Sequence, residues 1–191
     1  MENYIKNLKL LEEKHVYSKD MEHDACGVGL IASTEGKKSR QVVEYGIEAL
    51  KAVWHRGAVD ADGKTGDGAG IHVEIPKDFF IEKIEVTGHK YDDSEICVGM
   101  IFLPRNEYSA QESCKTIVES ELTKNNFNIF GWRQVPVNPK VLGDKAFQTM
   151  PEIIQVLFKS NDENLINKNL ERKIYETRRK IENKAFNLSL N

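Results

Sequence analysis

Residues 23–30 read HDACGVGL, and they set a single cysteine, Cys26, between a polar leader and an apolar, glycine-spaced run. A thiol in that place has three uses: a small packed hydrophobe, a metal or redox ligand, or a nucleophile. Cys26 opens a strand-like run rather than filling one, and the glycines on both sides of Val28 leave room for close approach. Cleavage between Ala25 and Cys26 would free an α-amine, which titrates near pH ~8 and can act as general base for the thiol of its own residue. The residues alone leave the buried cysteine and the terminal nucleophile both open. The other two cysteines differ. Cys97 lies inside the apolar run EICVGMIFL and Cys114 on an apolar helical face, where both read as inert core. The odd count and the lack of a CxxC spacing argue against a disulfide framework or a zinc site, and for a reducing, cytoplasmic compartment.

The second stretch with possible chemistry is GAVDADGKTGDGAG, residues 57–70. Ala58 to Thr65 match a relaxed phosphate-loop pattern. A working phosphate loop follows a strand and opens a helix. Here a helical pattern precedes the loop, and Asp60 and Asp62 would repel phosphate. A calcium loop fails as well, because Lys64 takes a ligand position and Ile71 stands where a bidentate glutamate belongs. Solvated turn aspartates remain the reading for Asp60, Asp62 and Asp67. His15, His23, His55, His72 and His89 show no metal-ligand spacing. Trp54 and Trp132 read as core or pocket-edge aromatics.

Several elements must position these groups. The run from Cys26 to Ser33 reads as a strand. Val43, Ile47, Leu50 and Trp54 recur at helical spacing, so residues 40–54 form an amphipathic helix, with Gly57 as a left-handed cap. Strands are expected at Ile71 to Ile75, Glu95 to Leu103, over FNIFGWRQVPV, and at Glu152 to Phe158. Ser109 and Glu112 offer a capping box for a helix carrying Cys114, Ile117, Val118 and Leu122. A last helix, Asn164 to Asn183, aligns Ile166, Leu170, Ile174 and Ile181. This order favours an α+β fold over a doubly wound parallel sheet.

Composition narrows the function classes. The chain has 191 residues, 30% of them charged, with a net charge of -3. That balance gives no electrostatic case for nucleic acid or an anionic membrane. No apolar run reaches the ~18 residues of a membrane span, and residues 1–24 lack the apolar centre of a secretory signal.

Taken together, DACGVGLIAS, ALKAVWHRGAVDADGKTGDGAGI, GWRQVPVNPKVLGDKAFQTMPEIIQV and ERKIYETRRKIE resemble the start of the bacterial glutamate synthase large subunit, in its class II glutamine amidotransferase domain. The resemblance implies an α+β fold, the αββα four-layer sandwich of N-terminal-nucleophile hydrolases, incomplete in this chain. It implies that residues 1–25 are a removed pro-segment and 26–191 a partial amidotransferase domain. L-glutamine would be the substrate, with the Cys26 thiolate attacking its side-chain amide to give a thioester that water cleaves. The ammonia would then tunnel to a distant flavin site, where 2-oxoglutarate becomes glutamate. Arg56, in HRG, matches the arginine that the superfamily keeps beside the nucleophile, where a guanidinium favours the thiolate. Gly57, Asp67 and Gly68 match the loop that backs the active site and are candidate substrate contacts. No cofactor is expected in this chain; FMN and an iron–sulfur cluster are implied for the full-length family protein. Its flavin domain, and a small subunit, are the implied partners.

The sequence also departs from the family. An R-[FY]-S-T segment, whose arginine holds the glutamine carboxylate, and an HNG segment, whose Asn and Gly form the oxyanion hole, occur nowhere in these 191 residues. The chain is therefore expected to be an inactive amino-terminal fragment on its own. The alternative is a non-catalytic binding or assembly module that keeps part of the scaffold. Amidotransferases that make glucosamine phosphate or phosphoribosylamine are a weaker match, because of the pro-segment and the TGDGAGI string.

Overall fold

The computed structural model describes residues 2–14, 27–54, 57–66, 68–92 and 94–188. They form two compact units, residues 1–57 with 69–71 and residues 58–68 with 72–191.

Among the described residues, the first unit holds two helices, α1 (Glu2–Lys14) and α2 (Arg40–Ala52). Helix α1 lies in the leader, where Leu, Lys and Glu are good helix formers. Ser39 caps α2, its side chain accepting the Val42 N–H at 3.4 Å. The helical spacing is thus realised, two residues shorter than expected. Its end is a correction. Val53, at φ -95°, is the C-cap, and Gly57 is not in the left-handed region; its N–H donates to the Trp54 carbonyl at 2.9 Å. Trp54 is 76% exposed and is therefore not core. The expected strand at residues 26–33 is also corrected. Residues 27–33 form no strand, with Val28 95% and Leu30 89% exposed. An apolar run becomes a strand only where a neighbour completes its backbone hydrogen bonds, and among the described residues this one has none. Residues 71–75 likewise form no strand.

The second unit is built on three antiparallel strands, β1 (Cys97–Leu103), β2 (Phe127–Gln134) and β3 (Glu152–Ser160), in the order β1-β3-β2. Alternation along each strand separates two faces. On one, Cys97, Val156, Phe158 and Phe127 pack under α4 (Tyr108–Lys124) and α6 (Asn167–Asn187), against Val118, Leu122 and Leu170. Buried Glu121 of α4 meets Lys184 of α6, joining the two helices. On the other face, Leu157 packs with Phe130, Ile96, and Phe80 and Ile84 of α3 (Lys77–Val86).

Helix α3 is absent from the sequence reading, which took Pro76 as a stop; Pro76 is instead the residue from which α3 starts. The capping box is corrected too. Glu107 is the N-cap of α4 without a side-chain cap, and Glu112 pairs with Lys115 at 2.9 Å. The turn into α4 is held by Gln111, whose Nε2 donates to the carbonyls of Pro104 at 2.7 Å and Arg105 at 3.2 Å. A bulge in β2, between Ile129 and Gly131, turns Phe130 toward α3, and Thr87 Oγ1 donates to the Phe130 carbonyl at 2.9 Å. A 3-10 turn (Pro139–Val141) and a short helix, α5 (Asp144–Thr149), link β2 to β3. The α+β class stands. Among the described residues there is one sheet, without the second sheet of a four-layer sandwich.

Candidate functional site

Three of the five candidate site residues, Cys26, Arg56 and Asp67, lie outside the described residues. Gly57 belongs to the first unit and Gly68 to the second. A Cβ on Gly57 would stand 3.2 Å from the Trp54 carbonyl, while one on Gly68 would meet open space.

The loop between them has a defined architecture. Val59 and Gly66 form an antiparallel bridge. Inside it, the Asp60 N–H donates to the Thr65 carbonyl at 2.7 Å, and the Gly63 N–H to the Asp60 carbonyl at 2.9 Å. Gly63 takes φ 69°, a conformation that glycine adopts without strain. The Asp62 carboxylate accepts the Thr65 hydroxyl at 2.5 Å and the N–H groups of Lys64 at 2.9 Å and Thr65 at 2.7 Å. These bonds, the Thr65 hydroxyl foremost, hold the Asp62 carboxyl down at about 2. It is the turn aspartate the sequence suggests. Its oxygens serve the loop's own backbone, and residues 68–76 after it form no helix; among the described residues neither a calcium loop nor a phosphate loop is built here.

The loop is fastened to α5. Lys145 Nζ reaches Asp60 Oδ2 at 2.6 Å, and the Ala146 N–H reaches Thr65 Oγ1 at 3.5 Å. Gly143, the N-cap of α5, lies so close that a Cβ there would stand 2.3 Å from both Asp62 Oδ2 and Thr65 Oγ1. Sequence reasoning misses Gly143 and Lys145 altogether. Their only local signal is a glycine ahead of a short helix, and nothing in one sequence pairs it with a loop about eighty residues earlier.

Two predictions follow from this packing. Gly143→Ala is expected to lower stability by about 1–3 kcal/mol, since the methyl must push against the Thr65 backbone as well as side chains; urea unfolding measures it. Acid is expected to loosen the loop. A carboxylate whose native value lies below its ordinary 3.8 stabilises the fold above that pH, and the contribution fades as pH falls through about 2. Asp92, held near 2 by Lys159 of β3, titrates in the same sense. Between pH ~4 and pH ~2 the Lys64 and Thr65 amides should lose protection from exchange.

Burial pushes Cys97 up to about 12, with Glu95 and Glu171 adding to it, and burial also raises Cys114. Neither supplies a thiolate near neutral pH. Among the described residues no group of His, Cys, Asp and Glu could hold a metal ion, so these residues do not fit an iron–sulfur cluster. A groove of about 400 Å³ at the end of β1 is lined by residues including Phe102, Pro104, Arg105 and Met150. Arg105 is the one cation in its lining and already stacks on Phe147 at 4.4 Å. That groove does not fit the phosphate of FMN. No described helix is long and apolar enough to cross a membrane.

Comparison with known proteins gives this geometry its context. The family model described as "Glutamine amidotransferases class-II" matches residues 26–191. The chain is 52% identical over 176 residues to the glutamate synthase [NADPH] large chain of Azospirillum brasilense, covering 92% of this chain and 12% of that protein. It is 37% identical over 175 residues to the ferredoxin-dependent glutamate synthase of Pyropia yezoensis, covering 91% and 11%. It is 36% identical over 151 residues to the glutamate synthase [NADH] of Saccharomyces cerevisiae, covering 76% and 7%. The chain thus spans about a tenth of the length of these relatives.

Proposed function

Because the chain belongs to the class II glutamine amidotransferases, we propose that it is the glutaminase part of a glutamate synthase, with Cys26 as the nucleophile. The observation that carries this reading is where the family match begins. It starts at residue 26 and leaves the leader outside.

In this reading the bond between Ala25 and Cys26 is cut, and residues 1–25 are a pro-segment. The freed α-amine takes the thiol proton, and the thiolate attacks the side-chain amide carbon of L-glutamine. The carbon–nitrogen bond breaks, the ammonium returns the proton, and ammonia leaves behind a thioester. Water then cleaves the thioester to glutamate and regenerates the thiol. Arg56 favours the thiolate electrostatically. Gly57, Asp67 and Gly68 are the proposed substrate-binding residues. The fold proposed for the complete domain is the four-layer sandwich, to which the sheet and its two helix-covered faces contribute.

Synthesis of glutamate from 2-oxoglutarate, with FMN and an iron–sulfur cluster, belongs to other parts of the glutamate synthase. The flavin domain and a small subunit are the proposed partners, and the cytoplasm the proposed compartment. The relatives named for NADPH, ferredoxin and NADH all resemble this same segment, so the choice of reductant is made elsewhere. The chain as it stands carries neither the R-[FY]-S-T nor the HNG segment; it is proposed to turn glutamine over poorly alone.

Intact mass of the purified chain tests the maturation step. Loss of residues 1–25 is expected; a chain that keeps Met1 overturns it. Thiol labelling tests the nucleophile. Cys26 is expected to alkylate fastest near neutral pH, while Cys97 reacts only on unfolding. Equal rates at the three cysteines would sink the assignment.

A further inference from the structure

The three-stranded sheet has two edges, and they are finished differently. Edge strand β2 carries a bulge, and a Cβ on its Gly131 would stand 2.9 Å from Thr87. Such irregularity blocks a further strand. Edge strand β1, CVGMIFL, has neither bulge, proline nor charge, and among the described residues it pairs only with β3. Among the described residues it therefore presents a row of backbone groups that pair with no further strand. Met100 (50% exposed) and Phe102 (64% exposed) stand on its less covered face. Proteins usually guard such an edge, because it templates pairing with another chain.

The charges beside β1 select what pairs with it. Glu95 precedes the strand and Arg105 follows it, each five residues from Met100. An antiparallel pairing of β1 with itself, centred on Met100, sets Val98 opposite Phe102, Gly99 opposite Ile101 and Glu95 opposite Arg105. Glu95 and Arg105 flank the strand, so in this pairing each lies at the end where the second copy carries the opposite charge, twice over by the twofold axis. Moving the register by two residues places each charge away from its complement. We propose that β1 is an interface for a second copy of this chain, which joins edge to edge into a continuous six-stranded sheet. The proposal rests on the sheet alone and is independent of the glutaminase reading.

Sedimentation of the full 191-residue chain over a range of concentrations tests it. The expected result is a dimer of twice the mass that the same preparation shows for its single chain under denaturing conditions. Arg105→Glu and Glu95→Arg singly should each weaken the dimer about tenfold, because both twofold-related pairs become like-charged. The double variant should restore the affinity to within about twofold, since the pairs are re-formed in reverse. Met100→Lys, at a half-exposed position, should leave monomer only and a normal far-ultraviolet spectrum. A parent chain that stays monomeric, including one whose β1 amides are covered by another segment and exchange slowly, overturns the proposal. So does a dimer indifferent to both single charge reversals.

Discussion

Cys26→Ala is expected to lower glutamine hydrolysis by on the order of 10⁴-fold or more, the scale seen when a covalent nucleophile is removed from a preorganised site. The effect is this large because the reaction as proposed passes through a thioester, and no other thiol can form it. Cys97 is buried and held near 12, and Cys114 is raised as well. The measurement is ammonia release from L-glutamine, made on a chain extended through the R-[FY]-S-T and HNG segments of the family. Retained turnover in that variant refutes Cys26 as nucleophile. The 191-residue chain provides the second arm. Loss of one oxyanion-hole donor alone costs about 10²–10³ in rate, and these residues contain neither that segment nor the carboxylate clamp. Parent and Cys26→Ala forms of the shorter chain should therefore both sit near the blank. Substantial Cys26-dependent turnover there would overturn the proposal that it is inactive alone.

Leu157→Ala is expected to cost about 2–5 kcal/mol, a large share of the ~5–15 kcal/mol that holds a typical domain together. Leu157 is 1% exposed on the central strand, with Val98 across from it on β1 and Gly131 on β2. Its side chain fills the space between the sheet and α3, among Phe80, Ile84, Ile96 and Phe130. Strands on both sides prevent collapse into the cavity, so both the transfer and the cavity contributions are lost. Urea midpoints should fall by about 1–2.5 M at a slope near 2 kcal/mol per M. Leu157→Met keeps the volume and should cost less than about 1.5 kcal/mol. An alanine variant as stable as the parent would mean that this face of the sheet is not core.

The elements legible in the sequence are those whose periodicity is their own. Val43, Ile47 and Leu50 mark α2; EICVGMIFL and EIIQVLF mark β1 and β3; Leu170, Ile174 and Ile181 mark α6, although Ile166 caps that helix rather than packing on it. Residues 27–33 and 71–75 have the same apolar character but no neighbouring strand among the described residues, and strands are made by pairs. KDFFIEKIEV hid because Pro76 ends a run and begins a helix equally well. The leader helix hid because its charges obscure good helix formers. At the site, motif order points to Cys26 and Arg56, which chemistry alone leaves open. The contacts of Gly143 and Lys145 with the loop are long-range packing, for which a single sequence has no local signature.

The clasp between that loop and α5 also sets a clock. Asp60 and Lys145 are 85 positions apart, and ribosomes add about 5–20 residues per second. For roughly 4–17 s after Asp60 is made, the loop has no Lys145 to grip and no Gly143 to lean on. A nascent chain therefore carries Cys26 and its leader well before that loop can set. Under the maturation proposed above, a cleavage that depends on this loop is expected to follow the emergence of α5 rather than the completion of the leader.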